Sequence, residues 1–253
     1  MKNANPLSFL TDVVLAFVLL TRLPMPRLQQ EAFDQSARAV WAYPVVGAAL
    51  GALAFGAAFF AQAIGLSDAI AAGVALAVLM TCTGAMHEDG LADTVDGFWG
   101  GHSIEHRLNI MKDSQIGTYG TLALLLTVGL RWIALTSLLT IAPLALIGIA
   151  ALSRAAMPVV MLLMEPARPG GLAQSVGRPG AASVLFGLAL ALLFAGYALG
   201  TTAFGAALVV LVSTCLVLLL ARRKIGGQTG DVLGATQQLS ELAALIFCVA
   251  ALT

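Results

Sequence analysis

Charged residues are scarce in this sequence. Lys and Arg total 13, Asp and Glu total 13, and charged residues make up only 10% of the chain, against 59% apolar residues. Soluble domains carry about 25% charged residues, so the composition argues against a soluble protein. The net charge of zero implies no bulk attraction to nucleic acid, and we expect no nucleic-acid partner. The apolar excess predicts an all-α, polytopic membrane protein, because each spanning helix needs about 20 mostly apolar residues.

Cysteine is also rare. Cys82, Cys215 and Cys248 lie in apolar segments without metal-ligand spacing, which predicts small buried side chains rather than disulfides or thiolate ligands. The N-terminus has no basic cluster ahead of an apolar run and no clear cleavage site, so we expect no signal peptide. We find no internal repeat, which argues against a transporter, since transporters often contain repeats around a midplane site.

Long apolar stretches predict roughly seven spans within one domain, residues 1–253. Segment 7–23 is apolar but contains Asp12, so it could span the membrane, lie in the interface or re-enter. Pro24 and Pro26 end it.

The small residues of the predicted spans permit a homo-oligomer but do not require one. The spans are 41–64, 69–86, 121–139, 143–164, 183–199, 203–221 and about 232–252.

Basic residues occur only in alternate loops. The loops around Asp68, Ile141 and Gly200 contain no Lys or Arg. Because Lys and Arg favour cytoplasmic loops, we predict that the other loops face the cytoplasm. The basic residues in those loops are Arg22, Arg27, Arg38, Arg107, Lys112, Arg168, Arg178, Arg222, Arg223 and Lys224.

A polar segment at 87–120 interrupts the apolar pattern. Its acidic residues Glu88, Asp89, Asp93 and Asp96 fall within nine positions. On a helix, Asp89, Asp93 and Asp96 are spaced i, i+4 and i+7, which places three repelling carboxylates on one face. Carboxylate oxygens suit Mg²⁺, which shares its other positions with water and substrate phosphates. We favour a metal-dependent phosphoryl-transfer site over the alternative, a solvated acidic loop.

Other polar residues allow both structural and functional readings. Asp231 could cap the last helix, or add a carboxylate or a general base to the site. Glu241 lies deep in an apolar helix, where it could be functional or a partner for Arg131 or Arg154. Arg154 could likewise contact phosphate or an internal carboxylate.

Two further segments could bind phosphate. Lys112, Asp113 and Ser114 with the glycines of 117–120 could hold it by charge and backbone N–H groups, or could form an ordinary helix entry. Arg222–Lys224 is most simply a cytoplasmic anchor, although a substrate phosphate could also use it.

Three motifs resemble the cobalamin synthase family, the adenosylcobinamide-GDP ribazoletransferases. They are EDGLADTVDG at 88–97, MKDSQIGTYG at 111–120 and GDVLGA at 230–235, and the early TRLP at 21–24 and YPVVG at 43–47 are similar too. The resemblance covers nearly the whole chain. It implies an inner-membrane enzyme of coenzyme B12 synthesis that requires Mg²⁺. Such an enzyme joins adenosylcobinamide-GDP to α-ribazole, or its 5′-phosphate, and releases GMP.

We assign hypothetical roles within this resemblance. Asp89, Asp93 and Asp96 hold Mg²⁺ and the diphosphate, with Glu88 as an alternate ligand. Asp113 or Asp231 positions or deprotonates the attacking hydroxyl. The predicted catalytic residues are thus Asp93, Asp96, Asp113 and Asp231, and the predicted substrate-binding residues are Arg22, Lys112, Ser114, Arg154 and Lys224.

Two alternatives compete with this reading. DTVDG at 93–97 also resembles the start of the CDP-alcohol phosphotransferase motif, but FWGG follows where that motif has Ala-Arg. A cation-coupled transporter would use the intramembrane charges Asp12, Arg131, Arg154 and Glu241. Assembly with other corrinoid-pathway enzymes at the lipid bilayer is a further possibility.

Overall fold

The computed structural model of the protein describes residues 6–253, which form a bundle of helices. The longest connections between them are 21–29, 164–171 and 111–117. Within the described part, the β-type pairing is a single isolated bridge between Pro166 and Gln228. The helices are α1 (Pro6–Leu20), α2 (Gln30–Phe33), α3 (Ser36–Ala39), a 3₁₀ turn (Val40–Ala42), α4 (Tyr43–Ala63), α5 (Asp68–Thr83), α6 (Met86–Gly100), α7 (Ile104–Ile110), α8 (Thr118–Ile141), α9 (Ala145–Leu163), α10 (Leu172–Val176), α11 (Ala181–Leu199), α12 (Thr202–Ile225) and α13 (Gly230–Leu252).

The predicted polytopic membrane architecture is confirmed. Among residues 6–253, six helical segments are long and apolar enough to cross a membrane: Ser36–Ala63, α8, α9, α11, α12 and α13. The pair α5 and α6, bent by 85°, makes seven if it counts as one span. α9 is mostly buried, whereas α11 and α12 expose most of their apolar surface, as expected for helices that face lipid.

Contacts between loops define one end of the bundle, which we call the site end. The backbone N–H of Arg22, after α1, donates to the carbonyl of Cys82 at the end of α5 (2.7 Å). Arg168, between α9 and α11, donates to the carbonyl of Leu108 on α7 (3.0 Å). The loops that meet here are thus those after α1, α5, α6, α9 and α12, the last through the pairs Arg107–Lys224 and Gln228–Glu165.

α5 runs between the two ends of the bundle. Its first residue, Asp68, accepts a hydrogen bond from Thr140 near the end of α8 (3.1 Å), away from the site end. Its last turn, at Cys82, lies at the site end. Its 16 residues span about 24 Å at a rise of about 1.5 Å per residue, so the short α5 still covers most of the bundle's depth.

α1 does not cross the bundle. Asp12, which is buried, accepts hydrogen bonds from Arg38 (2.6 Å) and from Trp41 (3.0 Å), residues that precede α4. The far end of α1 leads to Arg22, which contacts α5 at the site end. The middle and the C-terminal end of α1 therefore both lie near the site end, which favours the interfacial or re-entrant alternative for segment 7–23.

Candidate active site

The acidic segment forms α6, which leaves α5 at a sharp corner. Gly84 (φ 64°) and Ala85 (φ 55°) both adopt the left-handed conformation there, which is strained for alanine. The side chain of Arg22 lies on this corner, because a Cβ at Gly84 would come within 2.8 Å of its Cγ. With its polar sequence and its 85° bend from α5, α6 lies outside the six spanning helices.

Two glycines let α6 and α13 approach closely. A Cβ at Gly90 would lie 2.8 Å from the carbonyl oxygen of Asp231, and one at Gly234 would lie 3.1 Å from that of His87. Both distances are to backbone atoms, which cannot move aside as a flexible side chain can. The contact brings Asp231, at the start of α13, beside the acidic face of α6.

The carboxylates of Asp89, Asp93 and Asp231 therefore share one region. Partial burial, followed by the negative charges of Asp89, Asp231 and Asp96, raises the pKa of Asp93 to about 7, although the positive charge of Arg168 opposes this. Burial contributes most to this rise, and the neighbouring carboxylates add to it. A cation would relieve this repulsion.

A cavity of about 150 Å³ opens beside these carboxylates. Asp89 lines it from α6, Asp231 and Thr229 from the start of α13, and Arg168 from the loop after α9. Asp93 lies one helical turn beyond Asp89. The remaining lining residues are Met86, Pro166, Gly170, Gly171, Gln174, Gln228 and Gly230.

The carboxylates beside the cavity offer part of a Mg²⁺ coordination shell but not the whole of it. Within residues 6–253, no group of three or more His, Cys, Asp or Glu side chains is arranged to hold a metal by itself. Mg²⁺ is commonly held by one or two carboxylates plus substrate phosphates. Asp89 and Asp93, at i and i+4 on α6, offer such a partial set of hard oxygen ligands, and Asp231 adds a third carboxylate nearby.

Asp96 turns away from this group toward α8. Its carboxylate accepts hydrogen bonds from the backbone N–H groups of Gly117 (2.7 Å) and Gly120 (2.9 Å), at the first turn of α8. Either glycine would place a Cβ against these oxygens if replaced. Asp96 is buried and caps a helix, so its position does not support the predicted metal and catalytic roles.

Glu88 also points away from the predicted metal site. It is buried and pairs with Arg131 on α8 (3.0 Å), while Gln238 on α13 donates to it (3.0 Å). Arg131 pairs in turn with Glu241 (2.6 Å), and Glu241 lies 3.4 Å from Arg154. The structural alternatives for Glu241 and Arg154 thus hold, and Arg154 lies in this network rather than at the cavity.

The other predicted site residues do not reach the cavity. Lys224 donates to the carbonyl of Phe98 (3.0 Å) and lies over the ring of Trp99. Asp113 accepts a hydrogen bond from the backbone of Gln115 (3.2 Å). Within the described residues, none of the following lines the cavity: Arg22, Lys112, Asp113, Ser114, Lys224.

Arg168 lines the cavity, although the sequence indicates only a basic residue of a loop. Its guanidinium lies 3.4 Å from the carboxylate of Asp231. The available signal was its Pro- and Gly-rich loop, since such loops connect rigid elements and often carry functional residues. Nothing in the sequence paired that loop with the start of α13.

Comparison with known proteins gives matches along nearly the whole chain. The profile of the cobalamin-5-phosphate synthase family matches residues 12–249. Curated proteins named adenosylcobinamide-GDP ribazoletransferase are similar. The one from Sinorhizobium sp is 45% identical over 94% of this chain and 95% of its own, and the one from Bradyrhizobium diazoefficiens is 43% identical over 95% and 94%. The one from Brucella canis is 44% identical over 95% and 97%. No solved structure matches significantly.

Proposed function

The chain belongs to the cobalamin-5-phosphate synthase family, and we propose that it joins adenosylcobinamide-GDP to α-ribazole or its 5′-phosphate, with release of GMP, in the carboxylate cavity at the site end. One observation carries the placement of the reaction. The contact at Gly90 brings Asp231 on α13 to Asp89 and Asp93 on α6, beside a cavity open at that end.

The reaction is a phosphoryl transfer. A ribose hydroxyl of the acceptor forms a bond to the phosphorus that carries cobinamide, and the bond from that phosphorus to the bridging oxygen of the diphosphate breaks. The bridging oxygen leaves with GMP, and the hydroxyl proton passes to a base. Catalysis of such a step depends mainly on positioning and on charge stabilisation.

The residues that line the cavity, together with Asp93 one helical turn beyond Asp89, divide these tasks. Asp89 and Asp93 would hold Mg²⁺, which when bound neutralises charge on the diphosphate. Asp231 would orient the acceptor hydroxyl and accept its proton, because its carboxylate lines the cavity together with Asp89. Thr229 donates to the same carboxylate (3.1 Å) and so fixes its orientation.

We propose that the site end faces the cytoplasm and that the bilayer is the inner membrane. The loops that meet at this end are those with the Lys and Arg residues, whereas the loops at the other end contain neither. This asymmetry follows the rule that Lys and Arg stay in cytoplasmic loops. Nucleotide substrates would then reach the cavity from the compartment in which they are made. Association into a homo-oligomer or with other pathway enzymes stays a prediction.

Turnover by the purified protein tests the proposal. The protein in detergent is incubated with adenosylcobinamide-GDP, α-ribazole 5′-phosphate and Mg²⁺, with EDTA as the control. We expect GMP and the joined corrinoid with Mg²⁺ and neither product with EDTA. No product from folded protein and authentic substrates would refute the activity, and equal product in EDTA would remove the metal from the proposal.

A further inference from the structure

The proposed donor carries a diphosphate, yet none of the cations predicted to bind it lines the cavity. Lys112 is exposed, Arg154 is buried in the ion-pair network and Lys224 contacts Phe98 and Trp99. Among the described residues that line the cavity, Arg168 is the one cation. We propose that Arg168 binds the diphosphate of the donor substrate, an inference that rests on the proposed function.

The guanidinium of Arg168 is oriented but not saturated. One terminal nitrogen, Nη1, donates to the carbonyl of Leu108 at 3.0 Å. The other, Nη2, contacts the carboxylate of Asp231 at 3.4 Å, which is long for a charge-assisted hydrogen bond. A guanidinium has five N–H donors in a planar fork that matches phosphate oxygens. The Leu108 contact therefore aims the group while leaving donors for a ligand in the cavity.

The backbone that carries Arg168 is attached to the start of α13. The N–H of Ala167 donates to the carbonyl of Gln228 (2.8 Å), and the N–H of Gln228 donates to the carbonyl of Glu165 (3.0 Å). A Cβ at Gly227 would lie 2.6 Å from the Glu165 carbonyl oxygen, so this pairing needs glycine. Arg168 is thus held at a set position relative to Asp231, as a preorganised binding group requires.

A diphosphate would compete with Asp231 for Arg168. Phosphate oxygens accept two parallel hydrogen bonds from one guanidinium, which is stronger than the single long contact to Asp231. When Nη2 turns to the phosphate, Oδ2 of Asp231 loses its cation contact but keeps the hydrogen bond from Thr229. The carboxylate of Asp231 would therefore stay oriented beside the bound donor, without movement of a helix.

The test compares Arg168→Ala and Arg168→Lys with Arg178→Ala. Arg178 belongs to the same connection between α9 and α11, but it is exposed and pairs with Glu165 outside the cavity (2.6 Å). The measured quantities are the KM for adenosylcobinamide-GDP, the KM for α-ribazole 5′-phosphate, the affinity for inorganic pyrophosphate and the unfolding temperature in detergent.

We expect Arg168→Ala to raise the KM for the donor and to weaken pyrophosphate binding, each by about 10- to 100-fold, the effect of losing one or two charge-assisted hydrogen bonds. The KM for the acceptor should change far less. Arg168→Lys should recover part of the loss, because lysine keeps the charge but not the fork. Arg178→Ala should match the unchanged protein in both binding measurements.

Two outcomes would overturn the inference. Donor KM and pyrophosphate affinity unchanged in Arg168→Ala would show that the diphosphate binds elsewhere. A structural role only would give a different result. Arg168→Ala would then raise both KM values equally and lower the unfolding temperature, and Arg168→Lys would restore the unfolding temperature and the binding of both substrates together. Failure of the proposed function would be distinguishable, because the unchanged protein would then form no GMP. The difference in pyrophosphate affinity between the unchanged protein and Arg168→Ala would still test whether Arg168 binds a diphosphate.

Discussion

At the residue scale, adjacent carboxylates of α6 have opposite surroundings. Glu88 is buried against Arg131 and Gln238, whereas Asp89 is exposed in the cavity, and Asp96 caps α8. Helical geometry explains the difference, since successive side chains point about 100° apart and i, i+4 neighbours share a face. Asp93 follows Asp89 on that face. A run of acidic residues in a sequence therefore does not identify one site, because each position faces a different partner.

The capping role of Asp96 predicts a stability effect. Asp96→Ala removes the acceptor of two backbone N–H groups at the start of α8, and should lower the free energy of unfolding by about 1–3 kcal/mol. Asp96→Asn keeps one acceptor oxygen and should lose less. Thermal unfolding in detergent measures both. An Asp96→Ala protein of normal stability and no activity would instead place Asp96 in the chemistry.

At the element scale, most helices could be predicted from the sequence and most partners could not. Apolar runs of spanning length predict α4, α8, α9, α11, α12 and α13, because length and hydropathy are local properties. The corner at Gly84 and Ala85 gives no comparable signal. The approach of Asp231 to Asp89 joins positions far apart in the chain, which no local pattern encodes. From sequence spacing alone, a helix-capping role and an active-site role for Asp231 are about equally supported. The contact between α6 and α13 favours the active-site role.

The glycine contact between α6 and α13 predicts a linked loss of stability and activity. Gly90→Ala places a Cβ 2.8 Å from the Asp231 carbonyl oxygen, and the resulting overpacking should cost about 1–3 kcal/mol and reduce turnover by moving Asp231. Gly129→Ala is the matched control, since Gly129 lies in α8 with no atom within 4 Å of its Cβ position. Unfolding temperature and GMP release are measured on both. Normal activity of Gly90→Ala would separate this contact from the site.

Arg131 joins the two helices that carry the carboxylates. It bonds Glu88 on α6 and Glu241 on α13 from a position that is 1% exposed. Arg131→Met leaves both carboxylates buried without this partner and should destabilise the protein by about 3–5 kcal/mol. The double variant Arg131→Met with Glu88→Gln removes the carboxylate left without a cation, while Glu241 keeps Arg154 as its partner, and it should regain part of the stability. Chemical denaturation in detergent decides, and an Arg131→Met protein of normal stability would contradict the pairing.

At the scale of the whole molecule, the polar chemistry is concentrated at one end. The cavity, the bonded loops and the basic residues all occur at the site end, while the internal charges Asp12, Arg131, Arg154 and Glu241 pair with protein groups. Because these charges pair with other protein groups, the structure does not favour a cation path that uses them. The family match over residues 12–249 agrees with an enzyme whose site lies at one membrane surface.

This asymmetry predicts an orientation. Gln115 is exposed at the site end and Ser67 at the other end. In a protein with Cys82, Cys215 and Cys248 replaced by serine, Gln115→Cys should resist an impermeant maleimide added to intact cells, and Ser67→Cys should react. Both should react after the membrane is opened. The reverse pattern in intact cells would place the site end outside the cytoplasm.

If carboxylates from α6 and α13 form one active site, the substitution Asp231→Asn should abolish most of the turnover, and GMP release by this variant is the measurement to make. Asp113→Asn is the comparison, because Asp113 is exposed and does not line the cavity. With unfolding temperatures matched, we expect GMP release to fall by about 100-fold or more in Asp231→Asn and to stay near normal in Asp113→Asn. Near-normal turnover by Asp231→Asn, or loss of turnover in Asp113→Asn alone, would contradict an active site shared by α6 and α13.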